Sequence, residues 1–277
     1  AATALAAPAY ADHHGMSKAE HDKMHKEHSE RLAKILADPA RGADAKRDQY
    51  RHPAETFEFF RLHPDHVIGE YAPGGAWVSR ILGRYVNEKG KYTGLYFGTK
   101  SHFSDQQKAG IAANIVKFPA DVAAVSGRPA TDFNAFSLSE VPEGAKGSFD
   151  RIIVMRMLHN MMNWNIADTE IKAMRDLLKD DGLLGIEQHR AKADAPFSYT
   201  NGTKGYMREA DIIKFMEVNG FDLVAKSEIN ANPKDSANWP DGVWTLPPAL
   251  RLKDVDRAKY EAIGETDRMT LLFKKRP

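Results

Sequence analysis

The chain has 277 residues, 42% of them apolar and 28% charged, with a formal charge of +1 and no cysteine. That length buries a sizeable core in one large or two small domains, and the near-zero charge excludes the strong positive field of a nucleic-acid-binding surface. No run approaches the roughly 20 apolar residues of a membrane span, and the lack of cysteine suits an oxidising compartment.

In chain order, the run AATALAAPAYADHH resembles the tail of a secretory signal, with Ala9-Tyr10-Ala11 as an A-x-A-type cleavage site before Asp12. Export is the expectation, to the periplasm if the source is Gram-negative; a plain alanine-rich leader is the alternative. Residues 1–11 are read as this leader, 12–44 as a helical, histidine-rich arm, and 45–277 as one α/β domain. On the arm His14, His21, His25 and His28 follow at intervals of seven, four and three, which places them on one helix face. Such a face could take a transition metal, but no carboxylate or thiolate pattern completes a site. The arm is therefore expected to be solvated, weakly ordered and free of metal.

From Pro53 onward helix and strand patterns alternate. AETFEFFRL reads as a helix and HVIGEY as a buried strand, running through Pro73, Gly74 and Gly75 into the helix AWVSRILGRYV. KYTGLYFG is a second strand, 104–124 a helix with a proline break, TDFNAFSL a short strand and FDRIIVMRML a strongly apolar one. DTEIKAMRDLLKDDG reads as a helix capped by Asp168 and stopped at Gly182, then come the strand LLGIEQHR, the helix MREADIIKFMEVNG and the strands FDLVAKSEI and RMTLLFKK. Strands separated by helices imply a parallel sheet covered on both faces, and the closing pair is expected to add an antiparallel edge.

In an open α/β sheet the ligand crevice lies beyond the carboxyl ends of the strands, so the residues there are the candidates. They are Glu70, Tyr71, Gly74, Gly75 and Trp77 after the first strand, Arg156, His159 and Asn160 after the fourth, and Glu187, His189 and Arg190 after the fifth. Arg51 and His52, before the first body helix, join them. Each has a plainer reading: Glu70 caps the turn, the glycines allow a tight bend, His52 marks a helix start, Arg156 bridges to a surface carboxylate. Met155, Met157, Met161 and Met162 are more often core filler than a ligand box. Together the plain readings weaken, because unpartnered polar groups at one predicted crevice are costly.

The motifs YRHPAET, E-x-x-P-G-G-x-W at 70–77, LHNMMNW at 158–164, IEQHRA at 186–191, GYMREADI at 205–212, SEINANPKD, GVWTLPP and DRMTL together resemble a family of exported bacterial proteins of the class I S-adenosylmethionine-dependent methyltransferase type. The resemblance spans about residues 45–275. It implies a Rossmann-like, seven-stranded, mostly parallel sheet whose last strand is antiparallel, and it assigns Glu70, Gly74 and Gly75 to the cofactor if S-adenosylmethionine is used. The chain departs from the general methyltransferase pattern at two places: Ala72 or Pro73 occupies the first glycine position, and the second strand ends Tyr96-Phe97-Gly98 without a ribose-binding carboxylate. A lost charge-assisted hydrogen bond is worth about 1.5–3 kcal/mol.

Three functions stay open on these residues. The first is a cofactor-independent lyase on a small aromatic compound, with His159 or His189 as base, Glu187 orienting it, and Arg156 or Arg190 with Tyr206 holding a phenolate or carboxylate. Arg51, His52, Trp77, Asn160, Trp164, Phe197 and Trp244 would line its substrate pocket. Release of formaldehyde from a lignin-derived phenylpropanoid dimer is one concrete version. The second is a small-molecule methyltransferase using S-adenosylmethionine, and the third a periplasmic binding or metal-handling protein. No nucleic-acid partner is expected; a homodimer stays open.

Overall fold

A computed structural model describes residues 17–74, 76–98 and 103–277, so the leader, His14, Gly75 and the side chain of His21 lie outside the described residues. The strands are β1 (Val67–Tyr71), β2 (Lys91–Tyr96), β3 (Phe133–Ser137), β4 (Phe149–Met155), β5 (Leu178–His189), β6 (Phe221–Ser227) and β7 (Arg268–Lys275). They form one sheet in the order β3-β2-β1-β4-β5-β7-β6, parallel except for β7, which runs antiparallel to both its neighbours. The closing pair does not simply add an antiparallel edge. β7 inserts between β5 and β6, because its central residues Met269 to Phe273 are all apolar or small enough to be buried on both faces.

The helices are α1 (Lys18–Leu36), α2 (Asp48–Arg51), α3 (Pro53–Phe59), α4 (Trp77–Tyr85), α5 (Asp105–Ser126), α6 (Leu158–Asn163), α7 (Ala167–Leu177), α8 (Phe197–Thr200), α9 (Glu209–Val218) and α10 (Arg257–Ile263). α6, α7 and α9 cover one face of the sheet through Leu158, Met161, Ile171, Met174, Ile212 and Met216. α1, α3, α4 and α5 cover the other, where Leu32, Phe57, Ile81, Leu82 and Phe118 meet Ile68, Tyr92 and Ile153. Among the described residues no helix is long and apolar enough to cross a membrane.

Three expectations about helices need correction. α1 is a docked helix rather than a loose arm. A Ser17–Glu20 capping box opens it, Leu32 is buried against the body, and Arg31 donates to the carbonyls of Arg84, Tyr85 and Val86, three acceptors that the end of α4 leaves without helical partners. α5 runs unbroken through Pro119, framed by a Ser104–Gln107 capping box and a left-handed Gly127 at φ 73°. α7 is capped at Ile166, not Asp168, and stops at Leu177 rather than Gly182. Leu178 already pairs with Phe149, and Gly182 lies inside β5 at a tight fold-back where an added Cβ would sit 2.9 Å from the Phe149 carbonyl.

Candidate active site

β4 and β5 are neighbours, so the residues that end them emerge side by side. The backbone N–H of Arg156 donates to the Glu187 carbonyl at 2.7 Å, and its guanidinium meets Glu187 Oε1 at 2.8 Å. Arg156 takes a left-handed φ of 58°, a conformation that a non-glycine residue adopts only where its surroundings hold it. That bend turns the chain into α6, whose first turn buries His159.

The start of β7 lies at the same edge, because an antiparallel strand begins where its parallel neighbours finish. Arg268 pairs with His189 across the ladder and places its Nε 3.0 Å from Glu187 Oε1 and its Nη1 2.7 Å from Glu265 Oε2. Glu265 also accepts from Arg51 Nε at 2.9 Å. Arg47 Nε donates to Glu265 Oε1 at 3.2 Å as well, so four guanidiniums share two carboxylates. Glu187, Glu265, Arg51 and Arg268 are buried and Arg156 nearly so. Burial alone would raise both acids, but Arg156, Arg268 and Arg51 overcome it: Glu187 is held below its ordinary range, and Glu265 falls to about 2. Burial, and then the nearby Arg156, lowers Arg51 to about 9 against the pull of Glu265. Arg51 also lies over the Trp77 ring at 5.0 Å, and the Trp77 indole N–H donates to the Asp44 carbonyl at 3.1 Å.

Beside this cluster the rings of His159 and His189 stand 5.7 Å apart, with Trp244 6.0 Å from His159 and Tyr206 6.3 Å from His189. Gln188 orients His159 at its Nδ1, 3.2 Å away, and donates to the Gly205 carbonyl at 2.8 Å. Thr266 Oγ1 orients His189 at its Nδ1, 2.6 Å away. Burial lowers His159 to about 4, and it holds His189 far below the usual imidazole range with help from the guanidiniums. Both rings are neutral at pH 7.

Other candidates lie elsewhere or are already engaged. Arg190 is tied to Asp267, Glu228 and Glu209, so it braces β5 to the β6 and β7 ends instead of joining the histidines. The Tyr206 hydroxyl donates to Asp235 at 2.8 Å, so it anchors that carboxylate and is not left to hold a ligand. Trp164 packs with Phe97 and Phe103 beyond β2, Asn160 donates to the Met157 sulfur, and Phe197 is largely exposed. His52, left-handed at φ 39°, approaches Asn230, which in turn bonds Thr56 and Thr270.

Sequence reasoning missed Gln188, Asp235, Glu265, Thr266 and Arg268. Asp235 is fully buried and accepts from the Ala237 and Asp267 amides, Trp239 Nε1 and Tyr206, which fixes the 230–248 excursion over the site. Its signal was an acid two residues before an alanine in a Trp- and Pro-rich loop, which is too common to single out.

At the β1 turn the polar groups bond one another through one oxygen of Glu70, Oε2. Glu70 accepts from Ser79 Oγ at 2.9 Å and from the Tyr92 hydroxyl, and burial raises it to about 7. Ala72 and Ala76 adopt left-handed φ of 47° and 54° at positions where glycine would be unstrained. Beyond β2 no strand residue supplies a carboxylate; Glu170 of α7 reaches across and accepts the Gly98 amide at 3.0 Å. A cleft of about 500 Å³ opens beside Pro73, Gly74, Ser79 and Tyr96.

Solved structures of similar shape cover nearly the whole chain. An S-adenosylmethionine-dependent methyltransferase from Aquifex aeolicus matches with a TM-score of 0.51 at 13% identity, over 87% of this chain and 97% of that one. The [4+2]-cyclase SpnF matches with a TM-score of 0.51 at 17% identity, over 93% and 95%. The chain has the class I methyltransferase fold. No protein-family profile and no curated protein sequence matches it. At such identities the methyltransferase fold settles architecture and leaves chemistry to the site.

Proposed function

We propose that the protein is a cofactor-independent acid–base lyase acting on a small anionic aromatic compound. One observation carries this reading: two neutral imidazoles, 5.7 Å apart, stand beside a buried cluster in which guanidiniums outnumber carboxylates. A neutral imidazole is the proton-accepting form, and a surplus of buried positive charge favours a phenolate or carboxylate ligand. An anion bound there would also raise His159 from its value of about 4 toward the working range. Trp244 supplies an aromatic wall.

In its concrete form the phenolate of the substrate first expels its benzylic aryl-ether oxygen, which leaves as a second phenolate and gives a quinone methide; one of the two imidazoles then takes the proton of a primary hydroxyl, the carbon–carbon bond to that carbon breaks and formaldehyde leaves. The electron pair passes into a quinone-methide-type ring of the substrate, which becomes a phenolate beside the guanidiniums. Atoms and electrons balance within the substrate, so no oxidant or nucleotide enters. That the [4+2]-cyclase SpnF shares this fold supports chemistry other than methyl transfer on such a frame.

S-adenosylmethionine fits the β1 and β2 ends poorly on this reading: Glu70 is held by Ser79 and Tyr92, and Glu170, the acid nearest the end of β2, is spent on a backbone amide. A periplasmic location, which the leader-like residues 1–11 support, would also keep the chain from a cofactor made in the cytosol. The second reading, a small-molecule methyltransferase, is favoured by the cleft beside Gly74.

The test is formaldehyde release from phenolic phenylpropanoid dimers bearing a hydroxymethyl group, without added nucleotide, alongside thermal unfolding with millimolar S-adenosylmethionine and S-adenosylhomocysteine. Turnover that falls by roughly 10²–10⁴ in His159→Gln or His189→Gln, with no thermal shift from either nucleotide, is expected. A clear rise in midpoint with either nucleotide, together with no formaldehyde, would install the methyltransferase in its place.

A further inference from the structure

The amino-terminal edge of the sheet, opposite the site above, gathers a second histidine cluster. α1 presents His25 and His28, one turn apart, to the segment that leads into β1. His28 lies 4.9 Å from His63 and His25 5.8 Å from it, ring centre to ring centre, and His63 stacks on His66 at 4.5 Å. Ligand-capable atoms of His63, Asp65 and His66 all lie within 4.8 Å of one another. His63 is buried, while His25, His28 and His66 are half-buried and Asp65 is exposed. A cleft of about 290 Å³, lined by His25, His28, Glu58, Arg61 and His63 among others, opens onto the group and gives an ion a way in.

We propose that His25, His28, His63 and His66, with Asp65 at the rim, bind a divalent late transition ion of the zinc, nickel and copper class, and that this ion staples α1 to the body. Imidazole and carboxylate donors without thiolate select that class. Metal–nitrogen bonds of about 2.0–2.1 Å put neighbouring ligand atoms about 3.3 Å apart in a tetrahedral site; the ligand atoms of His63, Asp65 and His66, within 4.8 Å of one another, need only close by a further ångström or so, and the His25 and His28 rings lie next to them. The His63 amide approaches His66 Nδ1 at 3.3 Å, a long contact that leaves this nitrogen as an acceptor and that an ion can displace. The sequence hides the site, because α1 offers only part of the ligand set and the completing residues lie beyond α3.

The full chain, stripped with EDTA, would be titrated with zinc chloride by calorimetry and with cobalt(II) by visible absorption. One equivalent should bind, with the intense d–d bands of tetrahedral cobalt and a rise in the unfolding midpoint. Exchanging His25 and His28 together for Asn, both on a half-exposed helix face, should weaken binding about tenfold or more, and His63→Asn with His66→Asn about a hundredfold. Exchanging His13, His14 and His21 should leave affinity unchanged. The proposal falls if the wild type binds neither zinc, nickel nor copper at micromolar concentration. It falls equally if the His25 and His28 exchange leaves the affinity unchanged, or if binding is lost only when His13, His14 and His21 are changed.

Discussion

The carboxyl edge of the sheet carries buried polar groups at two places, and they are used in opposite ways. At the ends of β1 and β2, Glu70, Ser79 and Tyr92 bond one another, and Glu170 is consumed by the Gly98 amide. At the ends of β4, β5 and β7, charge is concentrated beyond what it needs for pairing, and two imidazoles are kept neutral beside it. The first arrangement is a closed hydrogen-bond circle, the second an open one that an anion would complete. A fold position that commonly receives a ligand thus says little by itself; the partners of its polar atoms decide whether anything is left to bind.

Removing one carboxylate should separate the two places most sharply. Glu187→Gln would leave Arg47, Arg51, Arg156 and Arg268 around Glu265 alone. Breaking a buried pair this way costs about 3–5 kcal/mol, because the uncompensated charge cannot reach water. Urea unfolding at pH 7 should show that loss. A loss below about 1 kcal/mol would mean that the cluster is solvated and not the buried array described.

Much of this edge was legible in the sequence, and the reason lies in strand direction. His159, Glu187 and His189 could be found because parallel strands end at one edge, so reading just past β4 and β5 locates them. Arg268 and Glu265 escaped the same rule. They precede the last strand, and only its antiparallel course brings a strand's beginning to that edge. Arg190 misled for a related reason: one residue past the end of β5, it turns to Asp267 and Glu228 on the β7 and β6 side. The strands themselves were readable from apolar runs and breakers. The boundary at Leu177 was not, since LLKDDG suits a helix end and a tertiary pairing with Phe149 overrides it.

Acid titration should distinguish the two places next. His159 has a folded value of about 4 against an ordinary value of 6.5, so between those pH values the unfolded chain holds the proton and the folded chain does not. Its contribution is complete above pH 6.5 and is lost as pH falls toward 4, by roughly 3 kcal/mol at most. His189 acts in the same direction. Glu70 acts against them: raised from 4.5 to about 7, it keeps its proton when folded, so its contribution is complete below pH 4.5 and is lost as pH rises toward 7. Chemical unfolding of the wild type between pH 4.5 and 6.5 should therefore show stability rising with pH at about the slope of one histidine, since Glu70 cancels one of the two. In His159→Gln the slope should flatten, because His189 and Glu70 then offset one another. A slope in the variant identical to that of the wild type would show that His159 titrates normally.

The smallest effect is expected from Glu70→Gln measured at a single pH. Near pH 7 the acid is about half protonated, and the amide carbonyl can still accept from Ser79 and Tyr92, so stability should change by less than about 1 kcal/mol. The same exchange removes the one raised carboxylate at the β1 turn, and the stability slope between pH 4.5 and 7 should then become distinctly steeper, rising with pH under the histidines alone. Formaldehyde release should be unaffected, because the closed circle at β1 takes no part in the proposed reaction. A variant that folds normally and loses turnover would join Glu70 to the chemistry and erase the contrast between the two ends of the sheet.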